Sequence, residues 1–372
     1  MPEVGEIYGF PFRRPDEQAK ALRRANRCPF VEATCDGGGN RYQTGFDVTA
    51  DHPLRALYDD EVSRVVPAVC SIDYGAEHWV VCPRRLFGFL AGNSEEAPAE
   101  NWGLQPHERE LLVQTSLPLG ERLGVWPEVY LRFELDGDQV NYHFDYVIAP
   151  ALEGVTLGEL FQLNDIRSDD RKDQIIGSLR SSGLLSGKVS DDTRIPIVPR
   201  LQDFLVVEVM TASTSGSNTA KGTDIRSAFE NAMLGRDHQS PGINKRQVWG
   251  RMATQLYAKS ALAEAWDGEA LWVVQDELLG NIEATTKLSL EKASVESGAS
   301  EPTIMFGELA FAESGGEGGR PITLKKVHRL RAGVGRSDTA TAADLLLPAI
   351  TPSTLDLLVA ILRRRPSAIL RL

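Results

Sequence analysis

The stretch "FLVVEVMTAST", Phe204 to Thr214, is an apolar, β-branched run interrupted by a single charge, Glu208. Such residues favour strands, and a run of this length reads as a strand buried on both faces. A carboxylate near the end of a buried strand is either a catalytic metal ligand or a charge that happens to lie where the strand stops. Met210, two residues on, offers that carboxylate no hydrogen-bond donor. The neighbouring segments have to decide between the two readings.

Upstream, "EVYLRFEL" and "NYHFDYVIAP" alternate apolar and polar residues, with "DGD" (Asp136 to Asp138) between them, which predicts a β-hairpin. Residues 152 to 199 form a charged, helix-prone insertion before the sheet resumes at Phe204. Downstream comes a stretch poor in large apolar residues. "QVWGRMATQLYAKSALAEAW" then repeats Val248, Met252, Gln255, Leu256, Lys259 and Leu262 at spacings of three and four, which predicts a helix. "ALWVVQDEL" predicts a further strand, and no internal repeat is evident. Strands alternating with helices indicate an α/β layer structure. Adjacent strands can bring Asp145, Glu208 and Glu134 within about 5 Å of one another. Carboxylates that close raise each other's pKa unless a divalent cation neutralises them. A Mg²⁺ ion on one or two carboxylates is the usual arrangement for phosphodiester hydrolysis.

Composition is that of an ordinary globular chain of one large or two ordinary domains, 42% apolar and 25% charged. No run of about 20 apolar residues exists to span a membrane, and the first residues lack a signal-peptide pattern, so a cytoplasmic location is expected. The net charge of −12 is unevenly spread: from Lys325 onward nine Lys or Arg face three Asp, giving +6 there and −18 elsewhere. That asymmetry permits a polyanion-binding face without requiring one. Phosphate-loop, zinc-protease, nucleophile-elbow and dinucleotide fingerprints are all missing from the sequence.

Residues 1 to 100 hold all four cysteines, Cys28, Cys35, Cys70 and Cys82, and "PDEQAKALRRAN" and "DHPLRALYDDEVSRVV" in the same region are helix-compatible. The gaps of six, thirty-four and eleven residues are not those of a tight zinc ribbon. Their contexts, "RCPF", "CDGGGN" and "VCPRR", supply turns suited to wrapping an ion. Four thiolates fit tetrahedral zinc or iron. The competing reading is four buried free thiols acting as small hydrophobes, with disulfides third.

The order of hairpin with Asp, strand with Glu, helix, strand resembles the PD-(D/E)XK nuclease core. With "CPF", "CDGGG" and "WVVCPRR" beside "FDY", "VVEVMT" and "QLYAKSALAEAWDGEALWVVQDEL", it is most similar to the NotI-type restriction endonucleases, over roughly residues 26 to 281. The resemblance implies a restriction-endonuclease-like mixed sheet flanked by helices, with an N-terminal cysteine-rich metal-binding module. Residues 1–100 would be that module, 101–290 the nuclease core with its insertion at about 152–199, and 291–372 a basic extension. It further implies a homodimer cutting double-stranded DNA at a specific, conceivably G/C-rich, site, with Fe or Zn on the four cysteines.

By the same resemblance Asp145 and Glu208 bind catalytic Mg²⁺, and Glu134 is a further acid. The pattern's lysine is a glutamine in the NotI type, and Met210 departs from both. Either Lys221, Arg251, Gln255 or Lys259 reaches the site in its place, or the chain is a DNA-binding or structural protein with an impaired site. DNA contacts are expected from Lys221, Arg226, Lys245, Arg246, Arg251 and "KKVHRLRAGVGR", with Arg84 and Arg85 braced toward a groove by the cysteine module. For any single one of these residues the simpler reading is a solvated surface charge.

Overall fold

The computed structural model describes residues 1–13, 15–38, 45–89, 98–100, 102–135, 138–215, 222–293, 303–312, 320–331 and 351–372. The predicted hairpin forms from Leu123–Leu135 and Asp138–Thr156, and "LVVEVM" forms the strand Leu205–Met210 against its second arm. Glu269–Gln275 lies parallel to the glutamate strand, and Thr303–Phe311 parallel to that. Ile322–Arg331 closes one edge antiparallel, and Ala368–Leu370 pairs with the first hairpin arm at the other. The result is a mixed eight-stranded sheet, counting Arg194–Pro199, which returns onto the far end of the long second arm.

Both faces of this sheet are covered, which explains why its central strands are apolar throughout. Val207 and Val209 pack with Leu86, Leu111, Leu271 and Val273 on one side. Phe204 and Val206 pack with Leu262 of the helix Lys245–Ala265, and with Trp266 just beyond its end, on the other. Alternation therefore places Glu208 on the side of that long helix.

The hairpin breaks its own alternation at one point. Phe144 and Tyr146 are two residues apart, yet they belong to cores on opposite sides of the sheet. Asp145 lies between them, facing Glu128, whose φ of 53° is left-handed. A non-glycine residue in that region costs about 1–3 kcal/mol, a strain that collects at functional sites.

The segment after the expected boundary at residue 290 is no appendage. Its strands belong to the same sheet, and Leu357, Ala360 and Ile361 of the helix Thr354–Leu362 share a core with Trp126 and Phe144. "KKVHRLR" is consequently a sheet-edge strand, its Lys325 and Lys326 paired with Glu308 and Glu291. Lysines along an edge discourage pairing with another chain.

The insertion carries the helices Leu157–Leu163 and Asp169–Ser181, with a small core shared with Leu358 and Leu362. In the N-terminal region Glu17–Arg24 is helical, its first turn capped by the Asp16 carboxylate accepting from the Ala19 N–H at 2.7 Å. "DHPLRALYDDEVSRVV" instead forms turns, one 3₁₀ turn, Arg55–Leu57, and a short strand, Arg64–Val65. Pro53 and the paired Asp59–Asp60 favour turns over a continuous helix. Val4, Ile7, Ile72 and Trp79, from the small sheet of this region, merge into a core with Trp272 and Val274 of the large one. Among the described residues no helix is long and apolar enough to cross a membrane.

Candidate active site

Asp145 and Glu208 meet in one cavity of about 480 Å³, with Asn141, His143, Met210, Gln255 and Lys259 also on its wall. The Val209 N–H donates to Asp145 Oδ2 at 2.8 Å, fixing the aspartate against the end of the glutamate strand. Lys259 Nζ reaches Glu208 Oε2 at 2.5 Å and lies 5.7 Å from the Phe144 ring centre. Both partners of this ion pair are buried. The other glutamate oxygen, Oε1, is buried and has no hydrogen-bond partner among the described residues.

Burial pushes the Asp145 carboxyl above its ordinary range, against the pull of the Val209 N–H and Lys259. Burial, and then the Asp145 charge, push Glu208 up to about 8 despite Lys259. One ammonium for two buried carboxylates leaves the cavity a charge short. An orphaned carboxylate oxygen and that uncompensated charge are what a divalent cation relieves, so the residues fit Mg²⁺.

Lys259 thus approaches Glu208 from the helix, while the strand itself offers Met210. Residues 255 and 259 are one turn apart on a helix face otherwise made of Val248, Met252 and Leu262. Polar residues on a buried apolar face were the readable signal. Gln255 shares the cavity wall; Met210 contributes only apolar surface. Two groups not anticipated from the sequence also stand here. Glu128 Oε2 and His143 Nε2 are 2.5 Å apart, and the His143 ring stacks on Tyr130 with centroids 4.3 Å apart. Alternation along "NYHF" places Asn141 and His143 on one face, which was legible; the break at Asp145 and the left-handed turn at Glu128 were not.

Several expected residues lie elsewhere. Glu134 is exposed and pairs with Gln139, six residues along the arm from Asp145, or about 20 Å away. It is not part of the site. Arg84 and Arg85 do not face a groove: each is only 4% exposed. Arg84 bonds the Tyr146 hydroxyl and Asp36, while Arg85 grips Glu6 with two bonds of 3.1 Å. Two guanidinium groups buried that deeply need such partners, and the partners remove them from solvent. Arg226 is tied to Glu230 and lies over Phe46; Lys245 is tied to Glu77 and lies over Trp79. Lys221 and the side chains of Arg246 and Arg251 lie outside the described residues.

The four cysteines are free and buried. The Gly9 N–H donates to Cys70 Sγ at 3.2 Å, and Gly38, at φ +78°, passes so close that a Cβ there would stand 3.0 Å from Cys82 Sγ. Burial and the neighbouring Cys82 push the Cys28 thiol up to about 12, opposed by the Phe30 and Val31 N–H groups. Cys35 is raised by burial and by Cys28 and Cys82, and Cys70 by its bond to Cys82 and by burial. Cys82 is thus felt by all three of the others. Even so, no three His, Cys, Asp or Glu side chains among the described residues are arranged to hold an ion.

Comparison with protein-family models finds no match, and comparison with curated proteins finds none either.

Proposed function

We propose that the chain is a Mg²⁺-dependent endonuclease that hydrolyses phosphodiester bonds of duplex DNA. The observation that carries this reading is the convergence of Asp145, Glu208 and Lys259 from three separate elements in one cavity. Mg²⁺ would be held by Asp145 and Glu208, where it would acidify a water and offset charge on the phosphate. Lys259 supplies a positive charge and hydrogen-bond donors beside the reacting phosphate, and Gln255 a further donor. With that lysine present, Met210 no longer argues for an impaired site. Site specificity, a homodimeric assembly and kinship with the NotI-type enzymes rest on the sequence resemblance. In the test, purified protein with Mg²⁺ converts phage DNA into fragments with discrete, sequenceable ends. Intact DNA in both Mg²⁺ and Mn²⁺ would remove the reading.

The cysteine quartet is proposed as a structural Zn or Fe site. All four thiols are buried, and backbone N–H groups donate to three of them, although the sulfurs as they stand do not form a ligand set. Elemental analysis of the purified chain should find about one Zn or Fe per chain. Stripping that ion should lower the melting temperature sharply, because closely grouped buried thiols lose what joins them. A metal-free protein of unchanged stability would return the four to the status of small hydrophobes.

A further inference from the structure

A chain of net charge −12 needs a local cationic surface to accept a polyanion, and most of the cations singled out from the sequence are consumed internally. We infer that the DNA backbone is received on the exposed face of the hairpin beside the cavity, by Arg132 and Arg364 arranged around Tyr130. This rests on the nuclease reading and deepens it by naming the surface that holds the substrate.

Tyr130 is stacked on His143, which lines the catalytic cavity. The Arg364 guanidinium lies 5.4 Å from the Tyr130 ring centre and that of Arg132 lies 5.8 Å from it. Both arginines are exposed, and among the described residues neither is in an ion pair with a carboxylate. They come from parts of the chain far apart in sequence. Arg132 alternates with Tyr130 on the first hairpin arm, while Arg364 follows the helix Thr354–Leu362, which packs on that hairpin. Glu128, whose carboxylate also feels Arg364, is engaged by His143; Glu134 lies further toward the hairpin tip.

Spacing fits the role. Tyr130 pairs with His143 and Arg132 with Asn141, two and four residues from Asp145, so the patch lies about 7–13 Å along the arm from the metal ligand. At about 3.4 Å of rise per nucleotide, that is roughly two to four nucleotides from a phosphate held at Asp145. Guanidinium groups suit phosphate oxygens because their donors form a flat fork, and stacking against an aromatic ring orients that fork before the ligand arrives.

The test is fluorescence anisotropy with a mixed-sequence duplex, in Ca²⁺ at several salt concentrations, beside a cutting assay in Mg²⁺. The double variant Arg132→Gln, Arg364→Gln should bind at least about tenfold more weakly and lose about 2 from the log–log salt slope, about 0.9 per phosphate contact. Tyr130→Leu should weaken binding while leaving the slope unchanged, since it removes orientation and no charge. Melting curves like the wild type's establish that the variants fold. Unchanged affinity and slope in the double variant would overturn the assignment, as would a wild type with no salt-dependent DNA binding. A wild type that binds with these dependences yet cuts nothing would leave this surface standing and remove only the nuclease reading.

Discussion

Replacing Asp145 by Asn or Glu208 by Gln should abolish the proposed cutting while leaving the fold intact. Each change keeps shape and removes one of two charges that the cation would balance; a loss of about 4 kcal/mol of metal-assisted stabilisation corresponds to roughly a thousandfold in rate. An asparagine at 145 still presents an oxygen to the Val209 N–H. Folding is expected to survive because the wild-type site is strained electrostatically. The Glu208 carboxyl has its folded pKa raised to about 8. A raised carboxylate contributes stability that is present at acidic pH and is lost as pH climbs through the folded value. The metal-free wild type should therefore weaken toward alkaline pH more than Glu208→Gln does. Mg²⁺ competes with the same proton, so its stabilising effect should grow as pH rises through about 8 and fade below. Melting temperatures across pH, with and without Mg²⁺, read both effects. Equal pH dependence in the two proteins would show that Glu208 carries no such burden. Glu134→Ala, remote and exposed, should cut like the wild type.

What could be read from the sequence followed from periodicity. The hairpin, the glutamate strand and the long helix each carried a pattern of two or of three and four, and their order placed Asp145 and Glu208 in one sheet. Even the helix-borne lysine showed itself, as a charge on an apolar stripe. Burial of charge did not show. "PRR" reads as a basic surface patch, and only tertiary placement reveals that Glu6, 79 positions from Arg85, takes the guanidinium inside. Nor did the face-switch at Asp145 announce itself, since "PEVY" gives Glu128 no glycine to mark a left-handed turn. The C-terminal strands were obscured for a related reason: "ITLKKVHRLR" is an edge strand, half exposed and strongly charged, so its alternation reads as a basic run.

Lys259→Ala should lower the cutting rate about a hundredfold to a thousandfold, the usual loss when a preorganised donor is taken from a developing oxyanion. Truncation alone is ambiguous, because it also strips Glu208 of its only ion-pair partner among the described residues. A relocation test resolves this. Met210 lies two residues beyond Glu208 on the same face of the strand and lines the same cavity. A lysine at that position can reach the space Lys259 vacates, because what matters is where the ammonium ends and not which element carries it. The double variant Met210→Lys, Lys259→Ala should therefore cut at least about tenfold faster than Lys259→Ala, a gain of about 1.4 kcal/mol. Met210→Lys alone should add a second ammonium near two carboxylates and weaken Mg²⁺ affinity, because the cation and the new lysine seek the same negative charge. Rescue in the double variant, with weakened metal binding in the single one, would place both ammonium positions at one reacting phosphate. A double variant no faster than Lys259→Ala, with melting behaviour like the wild type's, would mean that Lys259 is there to neutralise Glu208 and takes no part in hydrolysis.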